Sequence, residues 1–227
     1  MKKLITYALS FGLVAVLGCR DESLNPVPVF DPGVHAYAAF ADIAEPKDGT
    51  GGTPANSADY AKNFSTTGQD QASAKMNLKI RWVSLDNKLA VNKVEVYVDM
   101  LEYYDDPDGN AKTASLGNGG KLLKTISPAA GNREYSTFSI TPTEVYTLFK
   151  DATVKYDKVN AVKVFANPAN PRPAGKWFNG SEDLVLTWKL YTSDGKVFTT
   201  WNPDSICGDL TPYSQAKANC KLVFDVK

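Results

Sequence analysis

Lys75-Met76-Asn77-Leu78-Lys79-Ile80-Arg81-Trp82 alternates polar and apolar side chains one for one across its whole length. Successive side chains of a strand point to opposite faces, so this run describes a half-buried β-strand with Met76, Leu78, Ile80 and Trp82 on the core side. The same period recurs where Val94, Val96, Val98 and Met100 alternate with Lys93, Glu95, Tyr97 and Asp99. It recurs again where Leu184, Leu186, Trp188 and Leu190 alternate with Asp183, Val185, Thr187 and Lys189. Outside these windows, residues 34–41, 121–126, 135–140, 159–166, 197–201 and 221–226 are further strand candidates. Asp194-Gly195 suits a tight turn that needs positive φ, and predicts a hairpin joining the Leu184 strand to residues 197–201. No long amphipathic helix intervenes to support parallel crossovers, so the pairing should be antiparallel.

One short helix is expected. Thr141-Pro142-Thr143-Glu144 combines an N-cap, a first-turn proline and a capping-box glutamate, and Val145, Leu148 and Phe149 follow at helical spacing. A helix of two or three turns in a strand-rich chain plugs one end of a sandwich or crosses between sheets, with its apolar face in the core. Two segments, 42–73 and 104–120, are rich in Gly, Ser, Thr, Asn and Asp and read as long loops. The fold expected is all-β: an antiparallel β-sandwich with one short helix and long loops, in which the layout resembles immunoglobulin-like domains. A barrel of similar strand count is the architectural alternative. No internal repeat or second core is visible, so residues 34–227 form one expected domain.

Composition narrows the function. The 227 residues are 43% apolar and 22% charged, and 25 Lys+Arg balance 25 Asp+Glu. Without a basic excess or a basic run to neutralise phosphates, the chain does not read as a nucleic-acid binder.

The N-terminus carries the clearest address. Lys2 and Lys3 precede an uncharged, mostly apolar run over residues 4–17, and Gly18-Cys19 follows. The run is short of the roughly 20 residues a membrane-crossing helix needs, so it reads as an export signal. A small residue before a cysteine at the end of such a run resembles the lipobox of bacterial lipoproteins, although Val16 stands where that motif most often has Leu. The resemblance implies cleavage before Cys19 and lipidation of its thiol, giving a signal peptide over 1–18 and a Pro-rich tether over 19–33. An ordinary signal peptide cut elsewhere is the alternative. Two or three acyl chains on one cysteine hold a protein at a bilayer almost permanently, whereas one chain holds it only marginally. Arg20-Asp21-Glu22-Ser23 resembles the acidic export signal of Bacteroidota lipoproteins, which implies the outer face of the outer membrane over its periplasmic face. Asn25-Pro26-Val27-Pro28-Val29-Phe30-Asp31-Pro32 favours an extended spacer.

With Cys19 lipidated, Cys207 and Cys220 remain as a pair. In an oxidising compartment the economical reading is a disulfide, contributing about 3 kcal/mol by loop entropy. Two unpaired buried thiols are the alternative. A zinc site is disfavoured because His35 is the only histidine and no Cys-x-x-Cys occurs.

Enzyme signatures are largely missing: there is no nucleophile elbow, zincin helix, phosphate loop or dinucleotide fingerprint. Asp105, Asp106 and Asp108 form the densest carboxylate cluster, with Glu182-Asp183 second. Asp106-Pro107-Asp108-Gly109 is an ordinary turn sequence, weighed against a calcium loop or a carboxylate pair for glycoside cleavage. No metal or cofactor is expected. Aromatics offer a better lead, because sugar rings stack their CH faces on flat side chains. Trp177, Phe178, Trp201, Tyr103 and Tyr104 fall at strand ends or in loops and are the candidate ligand-binding residues, unless they cap the end of the core instead. Trp82 and Trp188 lie on the inward phase of their strands. Asp204-Ser205-Ile206 resembles a short O-glycosylation acceptor of exported Bacteroidota proteins.

The signal, the acidic pair and the layout over 75–226 together resemble the lipid-anchored sandwich proteins that accompany starch-utilisation-type uptake complexes. The resemblance implies a non-enzymatic binding or accessory subunit at the cell surface, meeting a glycan or an uptake complex, and brings no defined binding motif. A scaffold protein docking on an outer-membrane barrel, with no small ligand, is the second reading, and a carboxylate hydrolase the third.

Overall fold

The three alternating windows become the inner strands of two antiparallel sheets. The computed structural model describes residues 33–41, 71, 74–199 and 221–225. In chain order the strands are β1 (Val34–Phe40), β2 (Met76–Ser84), β3 (Val91–Asp105), β4 (Ala111–Ser115), β5 (Lys121–Ile126), β6 (Tyr135–Ile140), β7 (Thr153–Val154), β8 (Val162–Lys163), β9 (Glu182–Thr192), β10 (Val197–Thr199) and β11 (Leu222–Asp225). One sheet runs β1-β2-β6. The other runs β10-β9-β3-β4, with β11 also on β9 and β5 also on β3, while β7 and β8 pair with each other.

Three strands form one sheet and six the other, the chain changes sheets after β2, β5 and β6, and the inward faces of both share one core, which is a sandwich-like arrangement. The fold class therefore matches the expectation, and among the described residues the two main ladders stay separate instead of closing into a barrel. Residues on the predicted inward phase of both sheets form one core: Met76, Leu78, Ile80 and Trp82 from β2, Val94 to Met100 from β3, and Leu184 to Leu190 from β9. Each such side chain, fully buried, stabilises the fold by roughly 1.5–3 kcal/mol. Trp82 also donates its ring N–H to the Ala130 carbonyl at 2.6 Å. A buried indole needs such an acceptor.

The helix forms where expected. Here α1 (Pro142–Phe149) is capped by Thr141, whose hydroxyl accepts from the Glu144 amide at 3.2 Å, while the Thr141 amide donates to Glu144 Oε2 at 2.9 Å. Val145 and Phe149 are fully buried, so its apolar face is core. The Asp194-Gly195 hairpin also forms, with Gly195 at φ +87°.

Two expectations need correction. The segment 104–120 is not a long loop: β3 runs to Asp105, a turn follows, and β4 pairs with β3 from Asp105↔Ala111 to Leu101↔Ser115. The strand β4 lies at a sheet edge with Lys112 and Thr113 exposed, so it has no apolar face for a period-two search to detect. The candidate strand over 159–166 shrinks to β8 plus a 3-10 turn over Val164–Ala166. Ahead of it Asp157 Oδ1 accepts from the Val159 and Asn160 amides, and Lys158 takes φ +68°, which turns the chain before a strand can start. Of the expected loop over 42–73, only Gln71 lies among the described residues.

Candidate functional site

The aromatic candidates divide. Trp177 and Phe178 are buried, 9% and 1% exposed. Trp177 stacks on Tyr146 of α1 with ring centroids 4.6 Å apart, and Phe178 meets Phe165 edge-on at 6.2 Å. Their ring faces are therefore turned into protein, and they close an end of the core as the capping alternative has it. Tyr104 points to the inner side of β3 and packs edge-on against Tyr156 at 5.0 Å. Tyr103, on the outer side, is 41% exposed and donates its hydroxyl to Asp183 Oδ2 at 2.6 Å. Trp201, Cys19, Cys207, Cys220 and the Asp204-Ser205-Ile206 motif lie outside the described residues.

The Asp-Pro-Asp-Gly run is a turn. Asp106 Oδ1 accepts from the amides of Asp108 and Asn110, each at 3.0 Å, and the Gly109 amide donates to the Asp106 carbonyl at 2.8 Å. Lys158 Nζ lies 3.2 Å from Asp106 Oδ2 and 2.5 Å from Asp108 Oδ2. The Asn110 amide first, and Lys158 as well, hold the Asp106 carboxyl down to about 2. Its oxygens are thus occupied by N–H donors and an ammonium, which is an anchor for a turn and not a poised acid.

The other carboxylate region yields a feature that the sequence reading overlooked. Glu102 of β3 and Glu182 of β9 are register partners, one step beyond Met100 and Leu184 on the inner side of the sheet. Between them sits Arg172, from the irregular stretch after Pro171, and the three side chains are 1%, 0% and 0% exposed for Glu102, Glu182 and Arg172. Arg172 Nη2 donates to Glu102 Oε1 and Oε2 at 2.7 and 2.8 Å. Its Nη1 lies 3.6 Å from Glu182 Oε2 and donates to the Trp177 carbonyl at 3.4 Å. Glu182 Oε1 accepts from the Asn179 amide at 2.7 Å, and the Tyr156 hydroxyl donates to Glu102 Oε1 at 3.1 Å. Burial pushes Glu182 up to about 7 and raises Glu102, with Arg172 opposing both. The sequence did carry a signal: the inward phase of both long strands, extended by two residues, lands on a glutamate where a core position expects an apolar side chain. Such a position must find a cation in the fold.

The cluster lies almost wholly out of water. It ties residues 167–180 to the end of the larger sheet. Gln71 clamps the same stretch from the other side: its Nε2 donates to the Phe178 carbonyl at 2.7 Å, and its Oε1 accepts from the Phe178 amide at 2.9 Å.

What faces solvent is the outer side of the larger sheet. Glu95 accepts from Lys93 Nζ and the Tyr97 hydroxyl, both at 2.8 Å, and from the Tyr191 hydroxyl at 2.5 Å. The Lys93 and Lys189 ammoniums lie 3.7 and 4.6 Å from the Tyr191 and Tyr97 ring centroids. Lys93 and then Tyr191 hold Glu95 down to about 2. Leu122 and Val197 are exposed at opposite margins of this face, and Tyr103 continues it along β3. On the smaller sheet, Lys75, Asn77, Thr137, Phe138 and Ser139 contribute to an open cleft of about 560 Å³. His35 lies on the edge strand β1, buried, with Nε2 2.8 Å from the Tyr37 hydroxyl; burial and then Arg81 push it down to about 4, so it is neutral near pH 7.

No protein-family model matches the chain, and no curated protein matches it. Among solved structures it is similar to a DUF4466 family protein from Parabacteroides merdae, at 9% identity and TM-score 0.27, covering 76% of this chain and 43% of that one. It is also similar to Spo0M, a sporulation control protein from Bacillus subtilis, at 9% identity and TM-score 0.27, covering 74% of this chain and 46% of that one. The chain thus spans less than half the length of either, and likenesses this weak carry no argument about fold or function. The fold assignment stands on the strand order and register alone.

Proposed function

We propose that this chain is a lipid-anchored, non-enzymatic binding or accessory protein of the cell envelope, working in glycan or nutrient uptake at the outer membrane of a Bacteroidota-type cell. One observation carries the reading: the apolar run over residues 4–17 ends at Gly18-Cys19, so a single thiol becomes the attachment point. The sandwich supports it by presenting a sheet face of tyrosines and lysines, whereas the carboxylates with displaced titration are enclosed or engaged in turns and salt links. Aromatic and cationic side chains held on a rigid sheet are suited to recognition.

Radiolabelled palmitate and membrane fractionation test the anchor. Wild-type protein takes up label and sediments with membranes, whereas Cys19→Ala does neither; an unlabelled, soluble wild type would end this proposal. For the recognition step, Tyr103→Ala and Trp201→Ala should each lower retention on immobilised polysaccharide without lowering the unfolding midpoint.

A second reading, a scaffold docked on an outer-membrane barrel with no small ligand, is favoured by Leu122 and Val197 standing exposed on the same face as Tyr103. Stoichiometric recovery of a barrel protein from detergent extracts, with no polysaccharide retained, would select it.

A further inference from the structure

Residues 167–180 carry Trp177 and Phe178, and the attachment of this stretch depends on a charge count that does not balance. Two carboxylates, Glu102 and Glu182, share one cation, Arg172, and all three are out of water. Among the described residues, the only other titratable group donating into the cluster is Tyr156, whose hydroxyl meets Glu102 and whose ionisation burial and Glu102 push upward. The other partners among the described residues are neutral: the Trp177 carbonyl and the Phe165 ring at Arg172, and the Asn179 and Ser181 amides at Glu182. A buried triad with one excess negative charge is costly, and a single proton removes the excess. Glu102 holds both short contacts to Arg172, while Glu182 has the 3.6 Å contact and an Oε2 with no hydrogen-bond partner, so the proton belongs on Glu182.

We propose that Glu102, Arg172 and Glu182 form a proton-dependent latch: singly protonated, it holds residues 167–180 against the sheet, and on losing that proton it loosens the segment and uncovers Trp177 and Phe178. The raised titration of Glu182 fits this arrangement. When the latch opens, Glu182 meets water and returns to ordinary carboxylate behaviour, so opening becomes easier as pH rises from the usual carboxylate range to about 7 and levels off above it. The segment is coupled further through the Phe178 amide on Gln71 and the Asn179 amide on Glu182 itself.

Amide hydrogen exchange on the full chain, corrected for the intrinsic pH dependence of exchange, reads this directly. Protection at Phe178 and Asn179 should fall by roughly tenfold per pH unit between pH 5 and 7 and flatten by pH 8, while amides of residues 94–100 in β3 stay unchanged. In Glu182→Gln the segment should stay protected with no pH slope. Glu102→Gln, which leaves one carboxylate for one cation, should move the slope to lower pH and serves if Glu182→Gln does not fold. A flat wild-type profile, an equal loss of protection in β3, or an unaltered slope in the glutamine variants would overturn the latch.

Discussion

Glu102 and Asp106 stand four residues apart at the end of one hairpin, both hidden from solvent, and their carboxyls titrate in opposite directions. Asp106 sits where the chain turns, so the amides of Asp108 and Asn110 point at it and Lys158 and Lys112 approach from outside. Glu102 sits in a strand, where backbone N–H groups are already spent on the ladder, and must share Arg172 with Glu182. The lesson is that concealment alone does not decide a carboxylate's charge. The supply of donors does, and a turn supplies them locally whereas a strand must import them.

The largest test of that contrast is Arg172→Leu, which strands two buried carboxylates. Removing one partner of a buried ionic cluster costs about 3–5 kcal/mol, and urea unfolding at pH 7.5 should show a loss of that order that shrinks at pH 5, where both glutamates can take protons. A loss that does not depend on pH would mean that the arginine acts by packing alone.

Next in size is the pH dependence of stability itself. Glu182 has a folded value raised from 4.5 to about 7, so its contribution is intact below the ordinary carboxylate range and is lost as pH rises through that interval. The loss is about 3 kcal/mol at most. Asp106, lowered to about 2, has the reverse sign: its contribution is intact at neutral pH and disappears only as pH falls through that value. Unfolding curves at pH 5 and 8 should separate wild type from Glu182→Gln, in which the difference between the two pH values largely vanishes.

Tyr156→Phe sharpens the comparison further by deleting one of the donors that Glu102 imports. It should cost about 1 kcal/mol, and more at pH 8 than at pH 5. Asp106→Asn should have the smallest effect at pH 7, because an amide oxygen still accepts from the turn and only the exposed lysine contacts are lost. A midpoint shift as large as that of Arg172→Leu would erase the distinction drawn between the two carboxylates.

Local chemistry was legible from the residues wherever it was complete within a few positions. The period of β2, β3 and β9, the Thr141–Glu144 capping box and the Asp194-Gly195 hairpin each involve neighbours along the chain, and each forms as read. The strand β4 escaped because an edge strand buries neither face and leaves no period to find. Trp177 and Phe178 read from sequence as ligand platform or as core cap, with the cap favoured, and only the tertiary structure shows Tyr146 and Phe165 packed against them.

Amino-acid order alone established an antiparallel all-β chain, its one short helix and its principal hairpin, because side-chain alternation and turn conformation are short-range properties. Three-dimensional packing decided which charges meet. Arg172 lies 70 residues from Glu102, and no local rule links an arginine in a proline-rich stretch to two glutamates on neighbouring strands. The energy of a charge depends on what surrounds it once water has gone, and that environment exists only after the sheets and the segment over 167–180 have come together.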